Sequence, residues 1–113
     1  QTMRAIVSQN LPGTSASLGF TEVYPPMAVT PGNLAIMALY SRASQDAGLG
    51  PIEALPAGQR GGGDIQFVAP FRDTLDGLGA TGTGAHSPGE ELEIASIERG
   101  AVRTAILLYR LTR

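Results

Sequence analysis

Cysteine is absent from the chain, which excludes a disulfide framework, a cysteine-ligated zinc site and a thiol nucleophile. The absence leaves cytoplasm and periplasm equally open as compartments. Lysine is absent as well: all 8 basic residues are arginine, and the net charge is −2. Without a basic excess there is nothing to draw nucleic acid or an anionic membrane surface, so neither is expected as a partner. No apolar run approaches the ~20 residues that span a bilayer. Residues 1–10 lack the charged start and long apolar stretch of a signal peptide. Opening on Gln1 rather than methionine agrees with a chain cut from a longer one. Histidine is nearly absent: His86 stands alone, so no second imidazole exists to serve a triad beside a metal ligand. No serine sits in a nucleophile-elbow pattern either. These residues do not assemble a complete common hydrolase site by themselves, and no catalytic residue is assigned.

What is present is the composition of a globular protein, 42% hydrophobic and 16% charged over 113 residues. A compact chain of that size could bury about two-thirds of its unfolded surface. Fifteen glycines and 8 prolines punctuate it into short segments. Met3, Ile6 and Val7 have the spacing of a helix face within residues 1–9, and Leu11-Pro12-Gly13 ends it. The Ser-, Thr-, Phe- and Val-rich stretch 14–23 reads as a strand. Tyr24-Pro25-Pro26-Met27 is an extended crossing, since neither proline can donate to a ladder.

Thr30-Pro31 opens a second helix, threonine capping the free amides and proline fitting the first turn. The spacing carries it to about Ala47, with Gly48 as its stop. Residues 50–57 form a loop, Asp64 to Ala69 a short helix, Thr74 to Leu78 a buried strand, and 79–89 a glycine-rich loop. In the last helix Ile94, Ile97, Ala101, Ala105, Leu108 and Leu111 share one stripe. Glu90, Glu91 and Glu93 before it, and Arg110 and Arg113 at its end, suit the helix dipole. Strands alternating with helices imply an α/β architecture.

Three groups of residues bear chemistry. Gly82-Thr83-Gly84-Ala85-His86-Ser87 puts the histidine on a flexible loop beyond a strand, where α/β proteins bind ligands. Neutral imidazole binds zinc, but a lone loop histidine is more often just solvated. Arg60-Gly61-Gly62-Gly63-Asp64 offers successive amides and a guanidinium to a carboxylate or phosphate. A tight turn closed by an Asp64 cap explains the same residues. Glu90 and Glu91 form an acidic pair that a solvated helix entry accounts for.

In order, Pro25-Pro26-Met27, Thr30-Pro31-Gly32-Asn33, Arg60-Gly61-Gly62-Gly63-Asp64, Leu75-Asp76-Gly77-Leu78-Gly79 and Gly84-Ala85-His86-Ser87 span essentially the whole chain. Together they resemble the C-terminal portion of the zinc metallopeptidases that include glutamate carboxypeptidase, aminoacylase and succinyl-diaminopimelate desuccinylase. The resemblance implies a partial three-layer α/β catalytic domain over residues 24–113. Residues 1–23 would be the last helix and strand of an α+β lid, or dimerisation, domain. It implies two zinc ions in the full-length parent, with His86 matching the family's late histidine ligand. Arg60, Gly61, Gly62 and Gly63 match a loop lining the substrate cleft, although Gly63 stands where the family commonly has a small hydroxyl residue. The substrate would be an N-acyl amino acid or small peptide, and the other metal ligands would come from an upstream portion of the same protein. The isolated chain is then expected to be inactive. It should also expose apolar surface and form homo-oligomers, exchange elements between chains or dissolve poorly. Two further readings are a self-associating scaffold that binds no metal, and a metal-free anion-binding module built on Gly61 to Gly63.

Overall fold

A computed structural model describes residues 2–21, 27–56 and 59–113. Among them are three α-helices, α1 (Thr2–Val7), α2 (Pro31–Asp46) and α3 (Ile94–Leu111). A 3-10 turn covers Asp64–Phe67, and there are two short strands, β1 (Gly82–Thr83) and β2 (Glu91–Leu92).

The α2 start is as the sequence dictates: the Thr30 side chain accepts from the Asn33 amide at 3.1 Å, and Pro31 occupies the first turn. Its end is a Schellman turn, with Gly48 N donating to Gln45 O and Leu49 N to Ser44 O, both at 2.9 Å. Helix α2 packs on α3, and Tyr40, Ala43 and Leu107 are the buried apolar residues among those described. Polar groups finish this contact. Arg103 Nε donates to the fully buried Ser44 Oγ at 2.8 Å, and Ser41 Oγ accepts from Ile52 N at 2.9 Å.

The buried face of α3 differs from the stripe that hydrophobicity picks out. Ser96, Gly100 and Leu107 are buried, with Arg103 half-buried between them, whereas Ile94, Ile97, Leu108 and Leu111 are at least half exposed. The two faces are offset by about a residue, because small side chains at 96 and 100 allow close approach of the backbone while larger ones at 94 and 97 do not. A broad apolar band on α3 is therefore left open.

The expected strand at 14–23 does not form over its described part, 14–21; there Thr14 N and Oγ1 turn back to Leu11 O. Its last two residues, the boundary placed at 23 and 24, and Tyr24-Pro25-Pro26 lie outside the described residues. Thr74 to Leu78 is irregular rather than a strand: Gly77 has a φ of 72°, outside the β region, and Asp76 Oδ1 caps its amide at 2.7 Å. The short helix expected at 64–69 is one 3-10 turn prolonged by the Ala69 N to Ile65 O bond. The glycine-rich loop supplies one strand of a two-stranded antiparallel ladder whose other strand follows it, Gly82 opposite Leu92 and Thr83 opposite Glu91. That ladder and the two packed helices are the regular tertiary structure of the described residues.

The radius of gyration is 19.6 Å, against about 13 Å for a compact domain of similar length. The long axis measures 66 Å. No described helix is long and apolar enough to cross a membrane.

Candidate functional site

His86 lies in the loop that joins β1 to β2. Gly84 O accepts from both Ser87 N (3.0 Å) and Ser87 Oγ (2.7 Å), and Glu90 N donates to Ser87 O at 3.1 Å. These bonds hold His86 in a left-handed backbone conformation, φ 64°, the one non-glycine residue with positive φ among those described. The residue is exposed, as are Glu90 and Glu91 beside it. Glycine-rich sequence on both flanks makes this tight loop possible, and the ladder at its base fixes where it begins and ends.

The base of the loop is tied to α3. Ser96, buried in the first turn, accepts from Thr81 N at 2.8 Å and donates to Glu93 O at 2.5 Å. Glu93 pairs with Arg99 at 2.7 Å. The Arg99 hydrogen bond, then its charge, holds the Glu93 carboxyl below the usual carboxylate range, with the Thr81 hydroxyl adding to the effect. A carboxylate whose pKa is depressed on folding contributes stability above its unfolded value, about 4.3, and loses it as pH falls through the folded value. The thermal midpoint of the chain is therefore expected to fall more steeply below about pH 4 than that of Glu93→Gln. Matching acid limbs in a pH series of melting curves would remove the pair from the account. The effect is small, since both partners are substantially exposed.

Arg60, Gly61 and Gly62 are exposed and Gly63 is half-buried. Arg60 Nε donates to Leu55 O at 2.8 Å, which engages one of its five donors and leaves the outer nitrogens to solvent. Gly63, not Asp64, caps the 3-10 turn, and no side chain completes the cap. A turn of four residues has little dipole to offer an anion, so the amide-array reading rests on Arg60 and the glycine amides alone.

Arg60 and Gly61 also line a cleft of about 300 Å³ between α2, the 52–55 segment and the 74–78 segment. Its walls are mostly apolar and include Met37, Tyr40, Ile52 and Leu75. His86, Gly62 and Gly63 do not line it, so the two sets of sequence-selected residues do not share one pocket. The cleft does contain residues the sequence did not single out. Gln66 and Thr74 are each more than nine-tenths buried, and Gln66 Oε1 and Thr74 Oγ1 have no hydrogen-bond partner among the described residues. No local pattern marks such atoms, because burial is decided by segments distant in sequence.

A zinc centre needs three or four protein ligands. No group of three or more histidine, cysteine, aspartate or glutamate side chains converges among the described residues. They supply one imidazole at most and do not constitute a metal site, so no step through a metal follows from them. Comparison with protein-family models, with curated proteins and with solved structures gave no match.

Proposed function

We propose that this chain is the closing portion of a two-zinc amidohydrolase related to glutamate carboxypeptidase and aminoacylase, contributing His86 as one ligand to a centre completed elsewhere. The observation that carries this reading is His86 itself. The only imidazole of the chain is presented on an exposed loop whose conformation is set by a local hydrogen-bond network, with no group of three or more potential metal ligands gathered elsewhere among the described residues. When bound, zinc would acidify a water and polarise an amide carbonyl. The chain's own part is to present the imidazole and, through Arg60 and the amides of Gly61 to Gly63, to offer donors to a substrate carboxylate. The substrate class is an N-acyl amino acid or small peptide.

Reconstitution tests this. Co-expression with the upstream portion of the parent should give zinc-dependent hydrolysis of N-acyl amino acids. His86→Ala should lower zinc affinity more than about 100-fold, the upper end of what losing an outer-shell partner costs. Undiminished zinc content and activity with alanine at 86 would remove the ligand assignment.

The open apolar surface supports a second reading, a self-associating scaffold without metal. Only three apolar residues are buried among those described, while Ile94, Ile97, Leu108 and Leu111 face solvent along α3. On this reading His86→Ala changes nothing beyond the loop.

A further inference from the structure

We propose that the apolar cleft receives residues 14–21 of a second copy of this chain, so that two copies exchange N-terminal arms. The cleft is short of polypeptide partners rather than of apolar filling alone. Gln66 Oε1 needs an N–H donor, and the Thr74 hydroxyl needs an acceptor or a donor. Along the walls, Glu53, Ala54, Leu75, Asp76 and Leu78 have backbone amides with no hydrogen bond among the described residues. A purely apolar ligand would leave these groups unmet, at a cost for each that is buried. An extended chain brings alternating N–H and C=O groups and side chains together, as in strand addition.

The chain itself contains a segment with the matching deficiency. Residues 15–21 form no backbone hydrogen bonds among the described residues, and their Ser/Thr-rich sequence suits a strand. They run beside α1, where Arg4 lies over the Phe20 ring at 5.4 Å. Helix α1 packs against neither α2 nor α3. Phe20 remains 57% exposed, a large apolar group left mostly to solvent. Charge agrees in sign: Arg4 is the one charged residue at positions 2–21, whereas Glu53 and Asp76 outnumber Arg60 around the cleft. Reciprocal exchange satisfies both deficiencies twice, in a closed two-fold arrangement. The inference is independent of the metal reading and holds whether or not His86 binds zinc.

Light scattering on the unaltered chain over a wide concentration range is expected to show a monomer–dimer equilibrium. A blocked synthetic peptide of residues 14–21 should return the dimer to monomer. Phe20→Ala should raise the dissociation constant by about a hundredfold, as loss of a central aromatic anchor at two symmetric sites does. Thr74→Val, which keeps the shape and removes the hydroxyl, should raise it roughly tenfold. Phe20 belongs to neither α2 nor α3, so its substitution is expected to leave that helix pair folded. A chain that stays monomeric at every concentration overturns the proposal. So does a dimer indifferent to both the peptide and Phe20→Ala, which would place association on the open band of α3.

Discussion

Replacing Asn33 by alanine is expected to lower stability by about 2–4 kcal/mol, read as a shift in the denaturant midpoint at constant slope. Asn33 lies in the first turn of α2 and is only 6% exposed. Its amide side chain joins three separate pieces of chain. Oδ1 accepts from Thr74 N at 2.8 Å, across 41 positions of sequence, and Nδ2 donates to Ala28 O at 2.9 Å. Alanine leaves a buried N–H and a carbonyl without partners, and that desolvation cost exceeds the worth of the bonds themselves. The loss also frees the 74–78 wall of the cleft from the helix that positions it. Asn33→Asp keeps an acceptor for Thr74 N but loses the donor to Ala28 O. It also brings a second carboxylate near Asp73, whose own carboxylate already packs on Gly32. Aspartate should therefore restore only part of the loss. A stability of Asn33→Ala within about 0.5 kcal/mol of the parent, the range of ordinary surface changes, would mean that these bonds do not hold the cleft together.

Asn33 also marks the limit of what the sequence discloses. Thr30-Pro31 and Gly48 bound α2 correctly because caps and stops are local chemistry, satisfied within a turn of where they are written. The extent of α3 is legible from its apolar stripe instead, since no side chain caps its start. Its buried face is not, because Ser96, Gly100 and Arg103 are chosen by the opposing chain and not by their own hydrophobicity. The two expected strands fail on partners. Residues 14–21 and 74–78 have strand-like composition, but a strand exists only when a ladder forms, and pairing is non-local. Conversely, the two-residue ladder of β1 and β2 is too short to leave an alternating pattern. Of the candidate site, His86 and Arg60 to Gly63 are visible as residue types on loops, and the structure does place them outside helices and strands, all but the half-buried Gly63 exposed. Their separation into different regions, and the unmet atoms of Gln66 and Thr74, follow from tertiary packing that no short motif records.

Gly100→Ala is expected to destabilise the chain by about 1–3 kcal/mol, against the sign that helix propensity alone gives. Alanine in a helix interior is favoured over glycine by roughly 1 kcal/mol. Gly100 is buried, however, in the part of α3 that crosses the chain at residues 78 and 79. A methyl group there would sit 2.9 Å from Leu78 O and 3.2 Å from Gly79 O. Both obstacles are backbone carbonyls, which cannot swing aside as the end of a long side chain would, so the segment leading into the His86 loop must move. The neighbouring position supplies the control. Ala101 is exposed on the same helix, and Ala101→Gly should cost only the propensity, about 0.8–1 kcal/mol. Opposite substitutions at adjacent positions are thus both expected to destabilise, which no propensity scale produces. If Gly100→Ala instead raises the denaturant midpoint, α3 does not approach the 78–79 backbone closely, and the path by which the helix steers the His86 loop is lost with that contact.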